Sequence, residues 1–426
     1  MRISRTFGIA AVLAAAGFAA QAQDVKVNIL TEFWYTQMMD TNLRNNGAQN
    51  VVANYYALDS RFTENTFNIK RAEIYCNYKI NDEWAGYIMF DPSLTNTSSA
   101  ANSATTNSGV ALQDWVITWT PKGTGFTAKL GQMKMPTTYE STLMSARDIY
   151  FFDRAQISRL LGERRDRGVI ATYSYGRADA FKGNVTAAIS NGTTDDGTAG
   201  KTAVDQNAQK DYTFRFDGSF TPAHKFGIWY RTGQTNLKSS TTVAATLPAN
   251  WTAAGVTSAQ LLDNRDKTTA TGLFYSFNNQ NWHVLGEAAT GLVGRRFPTL
   301  FAAAAAPSRE HLDQKFQAYA VTAVYKMGAH QVGARYDMFN YNSGDDYYGA
   351  VNPYKPTTGL NAGGDFSPKY TETTLGYNYV FNPSKNTYGK LKIDYILRSK
   401  NFLRSIAGQS GAQGGDTLMC SIQVGY

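Results

Sequence analysis

From residue 24 onward the chain falls into short stretches in which polar and apolar residues alternate, joined in turn by a long polar connection and a tight one. Along 416–426, Leu418, Cys420, Ile422, Val424 and Tyr426 share one face, and Thr417, Met419, Ser421, Gln423 and Gly425 share the other. Successive strand residues point to opposite sides, so one face suits lipid and the other water. This pattern predicts an all-β fold, a closed antiparallel transmembrane β-barrel. Strands are expected at 25–39, 67–80, 83–92, 112–121, 126–135, 168–176, 180–191, 210–220, 224–235, 268–278, 281–291, 315–327, 330–340, 369–382, 387–400 and 416–426, about sixteen in all, an even number as bacterial barrels have.

The connections carry a second pattern. Tight turns fall at Asn81-Asp82, 121–125, 176–179, 221–223, Asn279-Gln280, Gly328-Ala329 and 383–386, where Gly, Pro, Asn and Asp dominate as tight turns require. Long connections fall at 40–66, 93–111, 136–167, 192–209, 236–267, 292–314, 341–368 and 401–415. Long loops on one rim and short turns on the other are the arrangement of outer-membrane barrels, with the short turns in the periplasm. A soluble all-β protein has no reason to alternate in this way. Trp34, Tyr35, Trp84, Phe90, Trp115, Trp119, Trp229, Tyr230, Trp282, Tyr377, Tyr379 and Tyr395 lie on strands, where rings collect at lipid–water boundaries, although strands favour aromatics in any case.

Composition adds an address. Arg2 and Arg5, an Ala-rich apolar run from Phe7 to Ala20 and the small-x-small triplet Ala20-Gln21-Ala22 read as a signal peptide over 1–22, leaving 23–426 as one barrel domain destined for the bacterial outer membrane. The mean hydropathy of −0.36 is that of a soluble chain, but lumen residues dilute lipid-facing ones in a barrel. A formal charge of +8 without a basic stripe interleaved with aromatics excludes nucleic acid as a partner. Cys76 and Cys420 fall on the apolar faces of strands that flank the first, about 10 Å apart, which is too far for a disulfide. His224, His283, His311 and His330 show no spacing for a metal or a nucleophile–base pair, so no cofactor, metal or enzymatic activity is expected.

If the apolar alternates face lipid, the others line the lumen. On the second strand Ala72, Ile74, Cys76, Tyr78 and Ile80 point out, and Arg71, Glu73, Asn77 and Lys79 point in. Arg215 and Asp217, Lys390, Lys392, Asp394 and Arg398 follow the same rule, as do Lys129, Lys182, Arg231 and Arg335. Asp114, Glu287, Asp337 and Glu372 also point inward. The wall is therefore charged and wet with a modest basic bias. Its charges either pair across strands and merely solvate the pore, or leave Arg and Lys free to draw anions.

The third long connection, 136–167, is too apolar to wave in water. It holds Leu143, Met144, Ile149, Tyr150, Phe151, Phe152, Ile157, Leu160 and Leu161, with a short helix expected over 141–150. It also carries Arg147, Arg154, Arg159, Arg164, Arg165 and Arg167 against Glu140, Asp148, Asp153, Glu163 and Asp166. Folded into the barrel, it would narrow the pore and hold anions through its guanidinium groups. The alternative is a surface lid or a subunit contact. On the inward reading, Arg154→Ala and Arg159→Ala weaken anion selectivity.

Several of these segments resemble the phosphate-selective porin O/P family. Phe67-Asn68-Ile69-Lys70-Arg71-Ala72-Glu73, leading to Trp84 and Phe90-Asp91, resembles an early hairpin of that family. Lys129 to Pro136 resembles its "GQ-K-P" strand end, Arg165-Asp166-Arg167-Gly168-Val169 its "RD-G" strand entry, and Ala188 to Gly192 its "NG" strand end. The resemblance covers 65–220. It implies a homotrimeric porin passing solutes down their gradients, with phosphate selectivity in members that carry an arginine ladder and a lysine cluster. The expected partners are small anionic or polar solutes, outer-membrane lipid and lipopolysaccharide, further copies of the chain, and the barrel-assembly machinery through Tyr426. Inward rings such as Tyr75 and Trp229 support an alternative, a general or sugar/aromatic-solute porin without anion selectivity.

Overall fold

The computed structural model describes residues 24–39, 66–95, 112–163, 165–176, 181–192, 209–236, 265–293, 314–344, 367–382, 388–399, 402–403, 412–413 and 416–425. The signal region 1–22, Arg164, His311 and Tyr426 lie outside the described residues. The alternating stretches form β1 (Asp24–Met38), β2 (Thr66–Lys79), β3 (Trp84–Phe90), β4 (Leu112–Trp119), β5 (Phe126–Lys134), β6 (Arg165–Gly176), β7 (Lys182–Ser190) and β8 (Asp211–Thr221). They continue as β9 (His224–Asn236), β10 (Arg265–Asn278), β11 (Trp282–Val293), β12 (Gln314–Met327), β13 (His330–Asn340), β14 (Lys369–Phe381), β15 (Tyr388–Arg398) and β16 (Thr417–Gly425).

Each strand pairs antiparallel with its sequence neighbours, and β1 closes on β16 from Leu30 opposite Gly425 to Met38 opposite Thr417. Closure leaves no sheet edge, which is what a strand-built structure needs in a medium without water. A two-residue pairing of Phe402–Leu403 with Ala412–Gln413 lies outside the barrel sheet and was not foreseen in the long connection there.

The outer face is an apolar band. Phe214, Leu273, Val321, Leu375 and Ile422 are each 50–55% exposed, values that make sense against lipid. Among the described residues no helix is long and apolar enough to cross a membrane. Rings gather at the short-turn rim, with Trp84 stacked on Trp119 at 6.0 Å and Trp282 tilted against Tyr325 at 4.8 Å. Two members of the expected girdle do not belong to it. Trp34 and Trp229 are fully buried on the inner face, because each falls in the inward parity of its strand. Cys76 and Cys420 are free thiols.

Two local features set the geometry of the pore. Gly131 adopts φ +132°, and a Cβ there would fall 2.0 Å from the Trp115 carbonyl oxygen, so the "GQ-K-P" strand end requires glycine. In β2 the register against β1 slips so that Glu32 faces Arg71 and Phe33 faces Ile69. Lys70 is the extra residue of this β-bulge, and both Lys70 and Arg71 reach the lumen. Strict alternation would have sent Lys70 into lipid.

Candidate functional site

The connection after β5 leaves the rim and crosses the barrel interior. Its helices are α1 (Tyr139–Thr142) and α2 (Gln156–Leu161), not the single helix expected over 141–150. The reason is on the wall. Lys390 Nζ donates to the carbonyls of Arg147 at 3.0 Å and Ile149 at 3.2 Å, and Asn378 Nδ2 donates to that of Tyr150 at 2.8 Å. Carbonyls turned toward the wall are not available to a helical ladder.

Apolar side chains carry the loop's weight. Ile149, Phe151, Phe152, Ala155 and Ile157 are all buried. Tyr139, Ala155 and Ile157 join a cluster with Trp229, Phe274, Leu285, Phe316 and Phe339 of β9 to β13. Phe152 stacks on Trp34 at 5.6 Å, and Phe151 lies against Gly333 and Gly376, where the wall has no side chain. These side chains of the loop therefore pack on the inner wall of the barrel.

The acidic wall residues have a specific use. Glu287 Oε1 accepts the Tyr139 N–H at 2.5 Å, at the first turn of α1, and Glu287 Oε2 accepts the Ser158 hydroxyl at 3.0 Å. Asp337 Oδ2 accepts the Gln156 N–H at 2.5 Å, at the first turn of α2. Neither helix has a side-chain cap of its own. Carboxylates from the barrel thus satisfy one orphan donor at each N-terminus. Asp394 Oδ2 holds the Phe152 N–H at 2.7 Å. Within the loop, Glu140 Oε2 accepts the Ala155 N–H at 2.6 Å. Burial pushes the Glu140 carboxyl above the usual carboxylate range, against the pull of Arg335.

Most of the basic residues are engaged. Arg71 meets Glu73 at 2.9 Å and Glu32 at 3.4 Å, and Lys392 meets Glu32 at 2.9 Å. Arg215 bonds Asp217 at 2.8 Å and the Thr142 hydroxyl at 2.8 Å, and Arg231 bonds Asp211 at 2.5 Å. Arg335 donates to the Asp153 carbonyl at 2.7 Å and pairs with Glu372 at 3.3 Å, while Arg398 meets the same carboxyl at 3.2 Å. Lys70, absent from the expected site, pairs with Asp153 of the loop. Lys79 sits at the short-turn rim, where Asp82 pairs with it and with Lys122, rather than deep in the lumen.

The loop arginines divide. Arg154 is buried and holds the loop together: its Nε donates to the Glu140 carbonyl at 2.8 Å, its guanidinium reaches the Met144 carbonyl, and it pairs with Glu163. Burial alone would raise the Glu163 carboxyl, but Arg154, with Lys134, Arg71 and Lys70, holds it below the usual range. Arg154 is therefore not open to a passing anion. Arg165 is committed to Asp114 at 2.8 Å. Arg167 lies with Val169 on the outer face and donates to Gln132, so its position does not serve a constriction. Arg147 and Arg159 are half-buried on the loop.

Three inward lysines differ from all these. Lys129 on β5, Lys182 on β7 and Lys225 on β9 are exposed to the lumen and form no ion pair with any described residue. Beneath the loop, toward the short-turn rim, opens a cavity of about 770 Å³. Loop residues Tyr139 to Tyr150 roof it, and Tyr75, Lys225, His283 and Lys390 are among its walls. Among the described residues no group of His, Cys, Asp and Glu could hold a metal ion.

The sequence profile described as phosphate-selective porin O and P matches residues 42–401. No curated protein matches the chain in sequence. Among the solved structures that share its fold at low identity are the following three. The outer membrane channel DcaP of Acinetobacter baumannii has a TM-score of 0.55 at 11% identity, covering 95% of this chain and 97% of that one. An anion-selective porin from Comamonas acidovorans has a TM-score of 0.52 at 11% identity, covering 95% and 99%. The trimer form of OmpT from Vibrio cholerae has a TM-score of 0.50 at 12% identity, covering 95% and 99%.

Proposed function

Since the chain belongs to the phosphate-selective porin O and P family and is an outer-membrane channel, we propose that it passes small solutes passively with a preference for anions. One observation carries this reading. Among the described residues the carboxylates of the barrel wall are engaged, by guanidinium and ammonium groups or by the loop's backbone, whereas Lys129, Lys182 and Lys225 stand in the lumen without a carboxylate partner among those residues. Fixed cations in a narrow wet path raise the local anion concentration. The likeness to an anion-selective porin supports the same reading, and the trimer form of OmpT supports a homotrimer. Arg147 and Arg159 are the loop arginines placed to add to this field. The signal peptide over 1–22 and the docking of Tyr426 on the assembly machinery belong to the same proposal.

In planar bilayers under a salt gradient the channel should show an anion-directed reversal potential. Replacing Lys129, Lys182 and Lys225 together with Gln should cut the anion-to-cation permeability ratio by about twofold or more, since the local potential depends on these unpaired charges. A cation-directed potential in the wild type refutes the preference. The alternative of a neutral sugar or aromatic-solute pore loses Trp229, which is buried under the loop, but keeps Tyr75, which lines the cavity. Liposome swelling in glucose as fast as phosphate flux would favour that alternative.

A further inference from the structure

The outer face of the barrel carries a basic patch that solute passage does not use. Lys267, Lys315 and Lys369 are exposed and stand within the first three residues of β10, β12 and β14, at the long-loop end. Each shares the outward parity of its strand: Lys267 with Leu273, Lys315 with Val321 and Lys369 with Leu375, which belong to the apolar band. No Asp or Glu falls on the outward parity of β10 to β14, so that face of the sheet is basic. The register sets the three lysines on a diagonal. Leu292 of β11 pairs with both Thr269 and Lys315, and Asn340 of β13 pairs with both Gln317 and Lys369. Each lysine is therefore two strands and two residues from the next, an interval of about 12 Å. Beneath the diagonal the outward residues are polar, namely Thr269, Thr290, Gln317 and Thr371, with Asn340 beside Lys369. The matching outward positions of β15, β16 and β2 are Leu397, Leu418 and Phe67, so the rim is not polar all round.

We infer that this face holds the headgroup of a phosphorylated glycolipid of the outer leaflet, a lipid of the lipopolysaccharide class. The inference rests on the outer-membrane placement of the barrel and not on its solute preference. Long loops face outward from the cell, so these strand ends lie among the headgroups of the outer leaflet. Lysines at a membrane surface draw anionic lipids, and an ammonium group donates charge-assisted hydrogen bonds to phosphate oxygens. Two joined hexose rings with a phosphate at either end can bridge neighbouring lysines of the diagonal. Their hydroxyls and amides then meet Thr269, Gln317, Asn340 and Thr371, which both donate and accept. The acyl chains run down over Leu273, Val321 and Leu375. A glycerophospholipid brings one phosphate to one ammonium group and leaves the polar residues beneath without a partner of their own kind. A second copy of the chain fits the patch less well, because the cores of protein interfaces are depleted of lysine.

The test titrates the full mature chain, stripped of lipid in detergent, with bisphosphorylated lipid A, its dephosphorylated form and phosphatidylglycerol, and counts bound lipid by native mass spectrometry. Bisphosphorylated lipid A should bind at concentrations about tenfold lower than either of the other two, since each surface lysine adds to the attraction for a phosphate. Lys267→Gln, Lys315→Gln and Lys369→Gln combined should weaken its binding by about tenfold or more. Arginine at the same three positions keeps the charge and should restore it. The heat-dependent shift in gel mobility shows whether each variant is a folded barrel. Equal affinity for the three lipids, or undiminished binding in the folded glutamine variant, overturns the site. Phosphatidylglycerol bound as tightly as lipid A overturns the glycolipid assignment. Oligomers that fall apart in the glutamine variant while its protomers still hold lipid A would make the face a contact between copies and overturn the inference as well.

Discussion

Asp337→Ala combined with Asp394→Ala is expected to open the channel: unitary conductance should rise by roughly twofold and the current should become noisy, because two buried loop N–H groups each lose an acceptor at about 1–3 kcal/mol. The wild-type loop is held from the barrel side. Asp337 takes the Gln156 N–H and Asp394 the Phe152 N–H, and both carboxylates are buried. Phe151 and Phe152 then anchor that stretch by packing, beside the donors that Lys390, Asn378 and Arg335 give its carbonyls, and a segment with fewer anchors samples open states. The paired control is Asp337→Asn with Asp394→Asn. An amide oxygen still accepts an N–H, so the loop should stay closed and conductance should remain near the wild-type value. If the alanine variant is indistinguishable from wild type, or if the asparagine variant opens as far, the acceptors are not what holds the loop. Limited proteolysis within 139–163, faster in the alanine variant alone, provides the independent check.

The contrast between what alternation foretells and what it misses has a physical basis. A one-residue slip in a barrel strand exchanges every lipid and lumen side chain at once, so the strands are heavily determined. Leu418, Cys420, Ile422 and Val424 point outward as their pattern demands, and β1 finds β16 in register. The apolarity of 143–161 is equally legible, since Ile149, Phe152 and Ile157 have no other place to be buried than the wall. The roles of the charges are not legible in this way. Lys70 reaches Asp153 because a bulge breaks the period, and no local signal announces that bulge. The β6 strand starts at Arg165 rather than 168, which carries Arg167 onto the outer face beside Gln132. Glu287 and Asp337 look like ordinary lumen acids along their own strands. Their task as helix caps exists only once a segment more than a hundred residues away lies across them. Unpaired charge is a property of the folded wall, so Lys129, Lys182 and Lys225 could not be told from their paired neighbours by spacing.

Arg154→Ala should be the most damaging substitution of a loop arginine, and its effect should be on stability rather than on solute contact. The side chain is 2% exposed and answers the carbonyls of Glu140 and Met144 as well as the Glu163 carboxylate. Removing one partner of a buried pair costs up to about 3–5 kcal/mol; the loss here is smaller, because Glu163 keeps Lys134 at 3.8 Å and is itself 32% exposed. The temperature at which the barrel loses its compact, detergent-resistant form on gels should fall, with noisier channels below it. Arg159→Ala, on a half-buried side chain, should lower that temperature less than Arg154→Ala and should also lower anion preference. Acid should not imitate Arg154→Ala. The folded value of Glu163 lies below its unfolded value near 4.5, so the pair contributes fully above pH 4.5 and is lost only as pH falls through the depressed folded value. Glu140 has the opposite sign. Its raised folded value makes the ionised form a cost at neutral pH, and acidification removes that cost. Neither carboxyl of the Arg154 knot is therefore weakened between neutral pH and pH 4.5. A drop in heat resistance over that interval which disappears in Glu163→Gln would contradict the pairing, and a wild-type melting temperature in Arg154→Ala would remove the knot altogether.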